Sequence, residues 1–121
     1  MGDVAPRVLI VDDHPSFRAS ARVLLEAEGF DVIGEAGDGA SAIAEAKRLH
    51  PEVVLLDVQL PDTDGFDIAA RLAQLGGDVP AVILVSSRDS SDFGPLVSRC
   101  GACGFVPKAE LSGDRVQQLL A

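Results

Sequence analysis

Two runs of consecutive aliphatic residues, at 53–56 (VVLL) and 81–85 (AVILV), constrain the fold more than any other feature of the sequence. A strand with one face in water alternates apolar and polar residues, whereas an unbroken apolar run is typical of a strand covered on both faces. Such strands belong to parallel sheets that carry helices on both sides. Together with three less regular segments, the runs predict five strands, at 7–12, 31–36, 53–57, 80–86 and 103–107.

Segments with helical spacing separate these predicted strands. Pro15 fits the first turn of the first helix, and Asp64 can cap the third, which we expect to end at Gly76-Gly77. The fourth is predicted as a short helix at about 95–100 behind an irregular segment, because proline costs about 3 kcal/mol in a helix interior but little in the first turn. Strands that alternate with helices predict an α/β fold with a doubly wound, five-stranded parallel sheet.

Polar residues of complementary charge follow four of the five predicted strands. In doubly wound sheets, ligands bind beyond the carboxyl ends of the strands, where the strand order reverses. A strand order of 2-1-3-4-5 would make the first and third strands neighbours and bring their carboxylates together. The residues at these strand ends are Asp12, Asp13, Asp57, Ser86 and Lys108.

The three carboxylates need positive charge beside them. Two carboxylates about 4 Å apart repel by about 4 kcal/mol at an effective dielectric constant of about 20. A divalent cation and the Lys108 ammonium would cancel the three negative charges, and Mg²⁺ (or Mn²⁺) suits an oxygen-donor site of this kind. A carboxylate that faces such a metal can attack a phosphoryl group and form an aspartyl phosphate.

Composition sets the outer limits. A chain of 121 residues with 47% hydrophobic content fits one domain, 1–121, in which we expect residues 1–6 to form a flexible tail. The net charge of −9 argues against nucleic-acid binding by this chain itself. No apolar run approaches the roughly 20 residues of a membrane span, and MGDVAPR has no secretory signal, so we expect a cytoplasmic protein without membrane contact.

Four stretches give the chain a specific family resemblance: LIVDDHPSFR, PEVVLLDVQLPDTDGFD, VILVSS and GACGFVPKAEL. Over residues 7–120 the sequence resembles the receiver domain of bacterial two-component response regulators. The resemblance implies a flavodoxin-like (CheY-like) (βα)5 three-layer sandwich. DDHPSFR and VPKAEL are most similar to the subgroup with LuxR-type helix-turn-helix output domains.

The resemblance also implies roles for individual residues. Asp57 would be the phosphoacceptor, Asp13 and Asp57 direct Mg²⁺ ligands, and Asp12 a ligand through water. The backbone carbonyl of Gln59 would be a further metal ligand. Lys108 would contact the phosphate. Ser86 would provide the switch hydroxyl, and Phe105 would be the switch aromatic.

The implied function is a signalling switch rather than an enzyme that acts on external substrates. A sensor histidine kinase would supply the phosphoryl group from its phosphohistidine. The signal would leave through the face formed by the fourth helix, fifth strand and fifth helix, and we expect phosphorylation to reorder residues 89–97 there. A phosphorylation-dependent homodimer is expected, and transcription would be regulated through an output domain outside this chain, which would also provide any DNA contact.

Alternative interpretations explain less of the sequence. A haloacid-dehalogenase-like phosphatase also uses an aspartate, Mg²⁺ and lysine, but needs a second acid two residues after the nucleophile, where this chain has His14 or Gln59. A degenerate receiver that serves only for docking would not need the complete set of acids. The Cys100-Gly-Ala-Cys103 spacing resembles a redox or zinc motif, but its position between a helix and a strand favours two small, buried, inert thiols.

Overall fold

A computed structural model describes residues 5–75, 79–87, 97 and 99–120. Its five parallel strands form one sheet in the order β2-β1-β3-β4-β5, which confirms the predicted doubly wound topology. The strands are β1 (Arg7–Val11), β2 (Asp31–Ala36), β3 (Val53–Asp57), β4 (Ala81–Ser86) and β5 (Gly104–Pro107). The helices in the described part of the chain are α1 (Pro15–Ala27), α2 (Gly39–Leu49), α3 (Gly65–Leu72) and α4 (Gly113–Leu120), with a 3-10 turn at Lys108–Glu110.

The two faces of the sheet carry separate hydrophobic cores. Side chains from α2 and α3 pack on one face, including Ala46 and Leu72, and side chains from α1 and α4 pack on the other, including Leu25 and Val116. All five residues of β3 are buried, because this strand lies in the centre of the sheet and is covered on both sides. The result is a three-layer sandwich in which the carboxyl ends of the central strands are exposed at one edge.

The helix ends follow local sequence signals, with one correction. Asp38 and Asp64 accept hydrogen bonds from the backbone at the starts of α2 and α3. The third helix ends at Leu72 and not at Leu75 as predicted, since the amides of Gln74 and Leu75 bond to carbonyls three residues back and tighten the chain into a turn. Leu75 still packs on the core, so its apolar spacing continues beyond the helix.

Several predictions fall on residues outside the described ranges. These are residues 95, 96 and 98 of the predicted fourth helix, the irregular segment at 89–95, Gly76-Gly77 and the first four residues of the predicted tail. Val97 and Arg99, at the end of the predicted fourth helix, have helical backbone. Pro6 is attached to the sheet through its carbonyl, which accepts from the Asp31 amide at 2.9 Å. No helix in the described part of the chain has the length and apolar content to cross a membrane.

Candidate functional site

The carboxyl ends of β1, β3, β4 and β5 surround a cleft of about 320 Å³. Its position results from the sheet order, because β1 and β3 are neighbours although 41 residues lie between Val11, where β1 ends, and Val53, where β3 begins. The cleft brings together residues from four loops, as the strand-end pattern predicted. Its lining consists of Asp13, His14, Asp57, Gln59, Leu60, Pro61, Ser86, Ser87 and Lys108.

Asp12 lies fully buried beneath this cleft, with a side chain that has no solvent exposure. One carboxylate oxygen, Oδ1, accepts from the backbone amide of His14 at 2.8 Å. The other oxygen, Oδ2, forms a close ion pair with Lys108 Nζ at 2.6 Å. Among the described residues, Oδ2 accepts no hydrogen bond. A buried carboxylate therefore relies on one ammonium group for most of its charge compensation.

Asp57 ends β3 and is 4% exposed. Burial raises the pKa of its carboxyl group, and the charge of Asp12 raises it further, against the lowering by the Gln59 amide and Lys108. The Gln59 amide donates to Oδ1 at 3.2 Å, and Lys108 Nζ donates to Oδ2 at 3.4 Å. Asp57 is thus held by two donors but remains short of positive charge.

Asp13 and His14 complete the acidic group on its open side. His14 Nδ1 lies 3.0 Å from Asp12 Oδ1 and 3.1 Å from Asp13 Oδ1. Ligand atoms from Asp12, Asp13, His14 and Asp57 all lie within 4.8 Å of one another. We call Asp12, Asp13, Asp57 and Lys108 the cleft cluster; its three carboxylates and one ammonium sum to −2.

The donor set of the cleft cluster fits a hard divalent cation. Carboxylate oxygens are the ligands such ions prefer, and Mg²⁺ needs only one or two of them because it retains several waters. Two positive charges would balance the remaining −2 of the cluster. The open side of the cleft leaves room for water and for a further ligand.

Lys108 enters the cleft from the 3-10 turn after β5, with 17% of its side chain exposed. Its ammonium lies 4.5 Å from the centre of the Phe17 ring, which comes from α1. Acidic groups and an aromatic face therefore surround a single cation.

The loop between β3 and α3 is fixed by backbone hydrogen bonds. The Gly65 amide donates to the Val58 carbonyl at 2.6 Å, and the Leu60 amide donates to the Thr63 carbonyl at 3.1 Å. Gly65 is required here by a close approach, since a Cβ at this position would collide with the Asp57 carbonyl oxygen. This closure holds Asp57 and the backbone of Gln59 in place.

At the tip of the same loop, Asp62 connects it to α2. Its two carboxylate oxygens accept from the amides of Gly39 and Ala40, at 2.8 and 3.1 Å. These bonds lower the pKa of the Asp62 carboxyl group, and the bond from the Gly39 amide lowers it most. Asp62 therefore binds the first two amides of α2, although it belongs to the loop that leads to α3.

A second group of charges lies on the outer side of β2, and we call Arg18, Arg22 and Glu35 the surface cluster. Arg18 Nε and Arg22 Nε donate to the two carboxylate oxygens of Glu35, at 3.0 and 2.8 Å. The Arg22 bond, followed by the Arg18 bond, holds the pKa of Glu35 below its usual value. Arg18 also donates through Nη1 to the Asp12 carbonyl at 2.6 Å and so braces the start of the acidic loop.

The other predicted site residues occupy two environments. Ser86 is 6% exposed and lines the cleft, and Gln59 lies exposed at its edge. Phe105 lies on β5 and packs against the core on the α2–α3 side of the sheet, away from the cleft lining.

Sequence reasoning was wrong about one thiol and missed four contacts. Cys100 is buried and donates to the Val97 carbonyl, but Cys103 is exposed, because it precedes β5 and is not part of the strand. The four missed contacts depend on tertiary placement and involve His14, Phe17, Arg18 and Asp62. The only related signal in the sequence is the spacing in DDHPSFR, which indicates that the start of α1 lies close to the acids.

The fold and the cleft define a class of protein: a doubly wound α/β domain that gathers acidic groups and one lysine at the carboxyl ends of its strands. Residues 8–120 match the response regulator receiver domain family, and the chain belongs to that family. This confirms the resemblance drawn from the sequence motifs.

Two curated relatives indicate the kind of protein in which such a chain occurs. The nitrate/nitrite response regulator protein NarP of Escherichia coli is 44% identical over 103 residues, which cover 84% of this chain and 47% of NarP. The transcriptional regulatory protein PdtaR of Mycobacterium tuberculosis is 32% identical over 127 residues, which cover 98% of this chain and 62% of PdtaR. The chain thus spans about half to three-fifths of the length of these two regulatory proteins.

Solved structures show the same fold. A LuxR-family two-component response regulator from Aurantimonas superposes with a TM-score of 0.84 at 29% identity, covering 94% of this chain and 81% of that one. The signal receiver domain of NarL from Mycobacterium tuberculosis gives 0.83 at 32%, covering 98% and 99%. CheY of Borrelia burgdorferi, in its complex with CheX, BeF3 and Mg²⁺, gives 0.81 at 27%, covering 94% and 85%.

Proposed function

We propose that this chain is the phosphoacceptor switch of a two-component system and that Asp57 receives the phosphoryl group from the phosphohistidine of a sensor histidine kinase. One observation carries the proposal: Asp57 projects into a cleft that also holds Asp12, Asp13 and Lys108, in a chain of the receiver family. An isolated acid would need no such surroundings. Burial raises the pKa of the Asp57 carboxyl group, and a perturbed carboxyl group in a cleft supports this role.

The metal in this proposal is Mg²⁺ or Mn²⁺. Asp13 and Asp57 would hold it directly, Asp12 through water, and Gln59 through its backbone carbonyl. Bound there, the ion supplies charge neutralisation to the phosphoryl oxygens and to the carboxylates. The charge of −2 left on the cleft cluster and the oxygen-donor set support this assignment.

The chain's own residues then have distinct tasks in the transfer. Asp57 supplies a carboxylate oxygen that forms the new O–P bond as the N–P bond of the phosphohistidine breaks, and the imidazole leaves with the bonding electron pair and takes up a proton. Lys108 moves its ammonium onto a phosphoryl oxygen, because it already lies 3.4 Å from Asp57 Oδ2. Ser86, buried at the end of the neighbouring strand, supplies a hydroxyl donor to the phosphoryl group.

The output of this switch would pass from Ser86 to Phe105 on the adjacent strand β5. Residues 83–86 of β4 pair with residues 104–107 of β5, so a shift at the end of β4 would also move the end of β5. The signal would continue to the face of the predicted fourth helix, β5 and α4, and to a phosphorylation-dependent homodimer. In the cytoplasm, an output domain outside this chain would convert it into transcriptional control, in keeping with relatives of about twice this length.

The test is covalent labelling in the presence of Mg²⁺. Acetyl phosphate should add one phosphoryl group to the protein, as read by intact mass, and Asp57→Asn should abolish it. Asp67→Asn, which changes an exposed acid on α3, is the matched control and should label like the parent. Unchanged labelling of Asp57→Asn would refute the assignment, and multiple turnover of diverse phosphate esters would favour a phosphatase.

A further inference from the structure

The Lys108 ammonium is held from two sides by groups of different chemistry. Asp12 Oδ2 and Asp57 Oδ2 lie 2.6 and 3.4 Å from Nζ, and the Phe17 ring centre lies 4.5 Å from it. A distance below about 6 Å from a ring centre is within the range of a cation–π interaction. The family resemblance explained the lysine and the acids, but assigned nothing to the ring.

An ammonium on a four-carbon stem has many positions open to it. The carboxylates attract it from the sheet side, but they would also bind it in other orientations around their oxygens. The negative face of an aromatic ring restricts this choice, because it favours the cation only where the ammonium lies over the ring. With 17% of the lysine side chain exposed, water competes little for the same hydrogens.

The ring is itself fixed. Phe17 stands in the first turn of α1, which follows directly on the acidic loop, and its side chain packs against the core on the α1–α4 side of the sheet. The helix start and the acidic loop are joined further by Arg18, whose guanidinium donates to the Asp12 carbonyl. Ring, carboxylates and ammonium therefore belong to one rigid corner of the fold.

We infer that Phe17 is a positioning residue: its ring face holds the Lys108 ammonium beside Asp12 and Asp57, where the phosphoryl group is to arrive. This inference rests on the proposed function for the purpose of the lysine, but the contact itself does not. The ring acts through Lys108 and touches no reacting atom. The ordering of the lysine before the phosphoryl group binds is what it contributes.

Two substitutions separate the π-face from simple packing. Phe17→Leu keeps an apolar side chain on the same core but removes the ring, and Phe17→Tyr keeps the ring. Leu24→Val, on the same helix and the same core, is the control for lost packing. A packing role predicts similar behaviour for all three, whereas a cation–π role singles out Phe17→Leu.

The first measurement is NMR on the metal-free protein with labelled lysine. The ring current of Phe17 should shift the ε-methylene protons of Lys108 upfield relative to those of Lys47, which is exposed on α2. We expect the shift in the parent, Phe17→Tyr and Leu24→Val, and its loss in Phe17→Leu. A parent protein in which Lys108 resembles Lys47 overturns the contact, whatever the protein does with phosphate.

The second measurement is the affinity for beryllofluoride at saturating Mg²⁺. We expect Phe17→Leu to bind about three- to tenfold more weakly than the parent, with Phe17→Tyr and Leu24→Val within about twofold, in line with the usual strength of cation–π contacts. Equal affinities for Phe17→Leu and Phe17→Tyr overturn the positioning role. A parent protein that binds no beryllofluoride refutes the proposed function instead, and the NMR shift still decides whether the ring holds the lysine.

Discussion

The cleft cluster, at the carboxyl ends of β1, β3 and β5, and the surface cluster, beside β2, are both built from acids and bases, yet they have opposite electrostatic characters. In the surface cluster two guanidinium groups share one carboxylate, and the pKa of Glu35 is lowered. In the cleft cluster there are three carboxylates and one ammonium, which pairs with Asp12 and Asp57, and the pKa of Asp57 is raised. Arg18 touches both, through Glu35 and the Asp12 carbonyl.

The difference shows which charges serve the fold and which serve the function. A partly exposed cluster whose carboxylate has two cationic partners contributes modest stability and needs no further ion. A buried cluster with excess negative charge costs stability until a cation arrives. We therefore expect substitutions in the two clusters to differ in size, in sign and in their response to Mg²⁺.

The largest effect is expected from Lys108→Met. This change leaves Asp12 buried with its ammonium partner removed, and breaking a buried pair in this way costs about 3–5 kcal/mol. Urea denaturation at pH 7 without divalent ions measures it. Lys47→Met, on the exposed surface of α2, is the matched control and should change stability by less than about 0.5 kcal/mol.

A loss below about 1 kcal/mol for Lys108→Met would contradict the view that Asp12 depends on this lysine. Added Mg²⁺ should restore part of the lost stability, because a cation can replace the ammonium as counter-charge.

The next effect is steric and falls on the cleft alone. In Gly65→Ala the new Cβ would meet the Asp57 carbonyl oxygen and lie 2.9 Å from Val58 Cα, so the backbone must move. Overpacking of this kind costs about 1–3 kcal/mol, and the movement should also weaken Mg²⁺ binding. Gly29→Ala offers a contrast, because its new Cβ would lie in open space. Its cost would be conformational, since alanine rarely adopts the positive φ of 93° found there. Equal Mg²⁺ affinities of Gly65→Ala and the parent would show that the loop tolerates the shift.

In the surface cluster, Glu35→Gln should cost about 1 kcal/mol, since it removes two partly exposed ion pairs. The cost should not depend on Mg²⁺. Because the folded pKa of Glu35 is lowered, its contribution is complete above the ordinary pKa of a glutamate and disappears as the pH falls through the lowered value. Denaturation of parent and variant between pH 7 and pH 3 measures this, and Glu52→Gln, with one exposed partner, is the control.

The smallest expected effect has the opposite sign. The pKa of Asp57 is raised, so ionisation of its carboxyl group destabilises the metal-free fold. The protonated carboxyl group contributes stability that is complete below the ordinary pKa of an aspartate and is lost as the pH rises through the raised value. Asp57→Asn should therefore be slightly more stable than the parent at pH 7 without metal, and the gap should close on acidification. Saturating Mg²⁺ should reverse the order, as only the parent binds it well; a parent that is the more stable in both conditions would contradict the proposed electrostatics.

The fold was predictable because its signals are local or follow simple rules. Two unbroken apolar runs identified central strands, and the convergence of Asp12 and Asp57 followed from the strand order. The end of α3 was misplaced, since Leu75 keeps helical spacing and packs on the core although the backbone has already turned.

The missed contacts of the site have a common physical cause. Asp62 bonds to Gly39 across 23 positions, and the Phe17 ring lies against a lysine that enters from β5. No spacing or composition encodes such contacts, because side-chain direction and loop closure decide them. The exposed Cys103 is a similar case: the boundary of β5 lies one residue later than the apolar pattern indicated.

The bonded loop between β3 and α3 also fixes a length. Gly65 bonds back to Val58, Leu60 bonds to Thr63, and Asp62 bonds outward to α2, so bonds fix the loop at its start, middle and end. An insertion of one residue here would break these bonds together, whereas the exposed side chain of Gln59, which bonds through its backbone amide, can change freely. The segment after Asp57 thus behaves as a spacer of set size, and variants of this protein should differ there in residue type but not in residue number.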